Sequence, residues 1–154
     1  MSLYHLFETL EATPVGAGIK DSVWLFPAIE TIHLLALATL GGAILLLDLR
    51  LLGVGLTGQS TSTVERETRP WLIGAIAAMM ATGMLLGLSE AVKLYDKQAF
   101  WVKMIALAAA LAFTFGVRNP IARRNPRAAG MAVGAASLGL WLTVAIAGRW
   151  IGFS

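Results

Sequence analysis

Glu30 and His33 lie three residues apart inside an otherwise apolar run, SVWLFPAIETIHLLALATLGGAILLLDLRLLG, from Ser22 to Gly53. On a helix that spacing puts both side chains on one face, a turn apart. Neutral imidazole is the commonest metal ligand and the usual axial ligand of haem iron. A carboxylate one turn away can orient the ring or carry a proton. The same imidazole can also simply hydrogen-bond a neighbouring helix, a frequent role for polar residues in membrane bundles. Both readings are open at this point. Lys103, just after Phe100 and Trp101, is the second anomaly. Its ammonium either climbs back to the lipid headgroups or pairs with Glu30 or the carboxylates of a cofactor. Glu30, His33, Glu90 and Lys103 fall in the same half of their apolar runs and are expected to meet in one pocket.

Other donors are few. Met79, Met80 and Met84 cluster in one run, with Met104 and Met131 elsewhere. Thioethers suit Cu(I) and can bind haem iron axially, and they also pack well. His5 is the one other histidine, so a two-haem conduit with four histidine ligands is excluded within this chain. The absence of Cys rules out thiolate metal sites, disulfides and thiol catalysis. No phosphate-binding glycine loop, HExxH or GxSxG occurs, and a formal charge of +3 gives no ground for a nucleic-acid partner.

The elements that must position these groups follow from composition. Of 154 residues, 57% are hydrophobic and 14% charged, which reads as an integral membrane protein rather than a soluble domain. Four apolar runs, at about residues 22–49, 70–90, 99–117 and 128–150, are each long enough to cross a bilayer as a helix. The second starts at Pro70, which suits a first helical position. Gly53 to Arg69 reads as a flexible loop and Arg118 to Arg127 as a basic one. Asp48 and Arg50 read as anchors or loop contacts at a membrane edge. Leu3, Leu6, Phe7 and Leu10 recur at helical spacing and predict an amphipathic helix on the membrane surface within residues 1–20, broken by Pro14, Gly16 and Gly18. No basic stretch precedes an apolar core there, so no cleaved signal is expected. The fold class is therefore an all-α, four-transmembrane-helix bundle, one membrane domain over residues 1–154. Gly83 with Gly87, Gly130 with Gly134, and Gly41 with Gly42 are expected at close helix contacts. Trp24, Trp71, Trp101 and Trp150 fall near span ends as an aromatic belt, with Trp141 the exception.

Seven arginines (Arg50, Arg66, Arg69, Arg118, Arg123, Arg124, Arg127) fall on one side of the bundle, against Lys20, Lys93, Lys97 and Arg149 on the other. The positive-inside rule then puts both termini outside, in the periplasm for a bacterial inner membrane.

The strings PAIETIH and DLRLLG, with RPWLIGAIAAMMATGMLLGLSEAVKLYDKQAFWVKMIALAAALAF, resemble a family of uncharacterised four-span bacterial inner-membrane proteins over roughly residues 23–118. That family resembles, more distantly, the copper-resistance protein D domain and the HemJ-type protoporphyrinogen oxidase. The second resemblance implies that His33 and Lys103 are signature polar residues and that the cofactor is haem b. A further histidine is expected near the inner end of span three, where this chain has Arg118. The expected function is electron transfer or haem-dependent oxidation. His33 would be an axial ligand, Lys103 a propionate partner and Glu30 a proton or orienting group. The sixth position would be empty or filled by Met84 or His5, and the quinone pool or a membrane complex is the expected partner. The alternatives are a cofactor-free accessory subunit, in a homo-oligomer or larger membrane complex, and copper handling.

Overall fold

The computed structural model describes residues 3–124 and 128–153. Met1, Ser2 and Arg127, which enter the sequence readings above, lie outside them. All regular structure among the described residues is helical: α1 (Leu3–Glu11), α2 (Pro14–Asp21), α3 (Leu25–Leu52), α4 (Thr61–Ser89), α5 (Ala91–Tyr95), α6 (Gln98–Phe113), a π turn (Thr114–Arg118), α7 (Asn119–Arg123) and α8 (Ala128–Ile151). Four helical stretches, α3, α4, α6 through α7, and α8, are long and apolar enough to cross a membrane.

The packing order is α4, α3, α8, α6. α3 lies along both α4 and α8, and α6 lies along α8. Leu40, Ile44, Leu72, Ala110, Trp141 and Val144 meet in the middle of the bundle and form an apolar plug. α6 contributes least to it, since Ala110 is its one buried residue.

The boundaries differ from the sequence reading in three places, each for a local reason. α4 begins at Thr61, nine residues before Pro70, because the Ser60 side chain caps it by accepting from Thr63 N–H at 3.1 Å. Thr61, Val64 and Glu65 then bury themselves in the bundle, which holds the turn ahead of the proline in place. Span three does not end at Val117. It runs on to Arg123 through the π turn, in which the Asn119 N–H bonds Thr114 O five residues back. Arg118, assigned above to a loop, is 1% exposed.

The third difference is at the N-terminus, where two helices stand in place of one. Thr13 caps α2 by accepting from Gly16 N–H at 3.2 Å, with Pro14 in its first turn. Pro14, Gly16 and Gly18 thus lie within a helix. Gly16 serves close approach rather than breakage, since a Cβ there would lie 2.7 Å from Leu88 O on α4.

α1 packs on α5, with the Phe7 ring 5.3 Å from that of Tyr95 and 6.1 Å from that of Trp101. The Glu11 carboxylate accepts from Val92 N–H at 2.9 Å, at the start of α5, and pairs with Lys20. These two partners hold the Glu11 carboxyl below its usual 4.5, the Lys20 hydrogen bond most and the Val92 amide next. A group depressed on folding stabilises the fold above its unfolded pKa and loses that contribution as pH falls. Docking of α1 on α5 is therefore expected to be intact at neutral pH and to loosen progressively below pH 4.5. Hydrogen exchange at the Val92 amide checks this, and Glu11→Gln should flatten the response. An unchanged pH response in that variant would count against the cap.

Candidate functional site

The site is built from four helices at comparable depth. His33 lies about 12 Å along the axis from the start of α3, Thr82 about 10 Å from the end of α4, and Lys103 about 7 Å from the start of α6, at 1.5 Å per residue. All three lie toward the end of the bundle that carries both termini.

His33 is half-buried, and its Nδ1 lies 2.7 Å from Thr82 Oγ1. That hydroxyl has a second partner on its own helix. Thr82 Oγ1 donates to Ala78 O, one turn back, at 2.6 Å. In the tautomer that carries its proton on Nδ1, His33 donates to the hydroxyl oxygen and Nε2 keeps its lone pair. This is the arrangement by which ligating imidazoles are held, one nitrogen anchored and the other open. It is also the helix-to-helix hydrogen bond expected of a purely structural histidine. Gly83 lets α4 close on the ring, since a Cβ there would stand 3.3 Å from His33 Cε1.

Lys103 is half-buried in the seam between α6 and α8. Its Cδ, Cε and Nζ run across Gly148, all within 3.5–3.7 Å of where a Cβ on that glycine would be. Its charge lies within electrostatic reach of the His33 ring. Among the described residues it makes no hydrogen bond or ion pair.

The remaining candidates are placed apart from this pair. Glu30 is on the exposed face of α3, and the residue that orients the imidazole is Thr82 rather than Glu30. Glu90 pairs with Lys93 at 3.1 Å, past the end of α4. Met84 is 62% exposed, whereas Met79 packs against the apolar plug. His5 is exposed on α1, where its Nδ1 faces Thr9 Oγ1 at 3.4 Å. No group of three or more His, Asp or Glu among the described residues could hold a metal ion. A haem asks less of the protein, because the macrocycle supplies four nitrogens and the chain only an axial ligand. An anchored imidazole with an ammonium within electrostatic reach supplies the ligand and the counter-charge of that requirement.

A second polar cluster, missed in the sequence, lies at the arginine-rich end. Arg118 Nε donates to Asp48 Oδ1 at 2.5 Å, Nη2 to Ile44 O at 2.9 Å and Nη1 to Asn119 Oδ1 at 3.1 Å. Asp48 is completely buried, so it is no membrane-edge anchor. Asp48 Oδ2 and Ser137 Oγ are both enclosed, and the Ser137 hydroxyl is the nearby group able to donate to the Asp48 carboxylate. Beside them the Trp141 indole N–H donates to Thr114 Oγ1 at 3.0 Å. Closer to the surface, Thr61 Oγ1 donates to Ala122 O at 2.7 Å and Arg123 pairs with Glu65 at 2.9 Å. Arg50, the other residue read as an anchor, donates from Nε to Gln59 O at 2.5 Å, so its loop-contact reading fits.

The sequence profile of a family of unknown function, DUF6644, matches residues 10–154. The chain belongs to that family. The DUF6644 match takes in both polar clusters and every span, and leaves out most of α1, with His5. No curated protein and no solved structure shows a significant match to this DUF6644 protein.

Proposed function

We propose that this DUF6644 protein sits in a bacterial inner membrane with both termini in the periplasm and holds haem b in the periplasmic half of its bundle. It would work in electron transfer or haem-dependent oxidation. The observation that carries this reading is the His33–Thr82–Ala78 chain, which in the Nδ1–H tautomer leaves the His33 Nε2 lone pair available on a fixed ring. Haem would supply one-electron exchange at its iron. The protein's own residues have simpler tasks. Thr82 holds the ring, Gly83 lets α4 close on one side of it, and the Lys103 ammonium offers a counter-charge to a propionate carboxylate. The resemblance to HemJ-type enzymes favours the same pair of residues. Orientation rests on Arg50, Arg66, Arg69, Arg123 and Arg124 at one end, even with Arg118 set aside as neutralised by Asp48. The exposed apolar face of α1 suits a membrane surface.

The test is the optical spectrum of protein purified from a haem-replete host. A Soret band that vanishes in His33→Ala is the expected result. Thr82→Val keeps the ligand but frees the ring, so haem affinity should fall about 10–100-fold, the usual cost of removing an outer partner of a ligating histidine. One observation favours a different class of function. α6 buries so little of itself that its remaining face must be covered by lipid or another chain, as in an accessory subunit of a membrane complex. Under that reading the preparation shows no Soret band and carries no metal, and His33→Ala costs only about 0.6 kcal/mol, the average for a membrane-buried hydrogen bond. Bound copper without a Soret band would instead point to the methionines.

A further inference from the structure

Span three carries a phase relation that its sequence conceals. Ala110, Thr114, Arg118 and Ala122 are all buried, at 0%, 0%, 1% and 0% exposure, and they recur every four residues. A regular α-helix cannot keep such a series on one line, because each step of four overshoots a full turn by about 40°. From Lys103 to Ala122 an uninterrupted α-helix would turn about 100° beyond five full turns, so the two side chains would face different sides of the bundle. The π turn between them absorbs one residue, which removes about 100° of rotation and returns both to the same line.

The far end of this line is fixed. Arg118 grips the Asp48 carboxylate and the Ile44 carbonyl of α3, and Ala122 O is held by Thr61 of α4. The near end is not. α6 fully buries Ala110 alone and packs Ala106, Leu107 and Leu111 only partly buried against the plug, so its rotation about its own axis is opposed by apolar contact and by no buried ion pair of its own. We propose that the π turn, latched by Arg118 on Asp48, is the positioning device that keeps Lys103 turned into the bundle. Arg118 and Asp48 are then positioning residues for the Lys103 ammonium, acting through the phase of one helix. The proposal takes the His33–Lys103 site as the working end of the bundle, yet its test reads geometry alone, so a protein found to bind no haem leaves that test intact.

The chain has no cysteine, so paired substitutions report cleanly. Lys103→Cys with Gly148→Cys reports the free end, and Thr61→Cys with Ala122→Cys the latched end, each cross-linked with a short bis-methanethiosulfonate reagent in purified protein. Gly116 is exposed, and a Cβ on it would meet nothing within 4 Å, so its deletion removes the extra residue with little other loss. The expected result is loss of the 103–148 cross-link with the 61–122 cross-link kept. An alanine inserted between Ala108 and Ala109, both exposed, restores the residue count and should restore the 103–148 cross-link. Restoration supports the proposal even if the deletion abolishes both cross-links. Retention of the 103–148 cross-link in the deletion variant overturns it, and so does a loss of that cross-link that the insertion fails to reverse. As a second arm at full length, Arg118→Met should weaken the 103–148 cross-link and Arg118→Lys should retain more of it. Equal yields in the two variants overturn the role given to the latch.

Discussion

Arg118→Met on its own should destabilise the protein by about 3–5 kcal/mol, because it leaves the Asp48 carboxylate buried without its counter-charge. Both partners are sealed, at 1% and 0% side-chain exposure, so water cannot take over the lost interactions. Asp48→Leu should be comparably harmful, stranding a guanidinium whose other contacts are Ile44 O and Asn119 Oδ1. The combined change, Asp48→Leu with Arg118→Met, should cost far less than the sum, since removing both charges also removes their desolvation penalty. Equilibrium unfolding in mixed micelles gives the three numbers. Strict additivity would mean that the two side chains do not depend on each other.

Gly134→Leu should be the most disruptive change on α8. Even the first carbon of a side chain there would stand 3.0 Å from Asp48 O and 3.1 Å from Leu51 Cβ, and a backbone oxygen cannot step aside as a flexible side chain can. Overpacking of this kind costs about 1–3 kcal/mol for modest insertions, and more where α3 and α8 must separate. Gly139 on the same helix is the control. Nothing lies within 4 Å of a Cβ placed on it, so Gly139→Ala should be neutral or stabilising by about 0.5–1 kcal/mol, the ordinary gain of alanine over glycine in a helix. Similar losses at both positions would show that helix propensity, rather than helix contact, governs α8.

Four spans are legible in this chain because lipid solvent requires long apolar helices and composition records them directly. Gly134 was legible for a related reason, as a small residue spaced four from Gly130. Gly87 satisfies the same pattern with Gly83, yet a Cβ on it meets nothing, because spacing says that a face is smooth and not what faces it. Charge position misled where sequence distance stood in for depth. Arg118 follows the last apolar residue of its run and looks like the start of a loop, but its long side chain reaches inward to α3 once the π turn has set its direction. Asp48 looked peripheral for want of that partner, 70 positions away. Thr82 went unnoticed because a threonine among apolar residues is ordinary; its value depends on the committed bond to Ala78 O. His33 and Lys103 were visible as anomalies, whereas their shared level in the bundle needed the helices in place.

The indole of Trp141 offers a way to watch the interior without a label. Its four counterparts, Trp24, Trp71, Trp101 and Trp150, are 84%, 67%, 37% and 63% exposed, while Trp141 is 9% exposed and tied to Thr114 at the level where span three changes its winding. A polar collisional quencher added from the aqueous phase would silence the outer four far more than the inner one. The fluorescence that survives would then report whether the middle of the bundle is dry and closed.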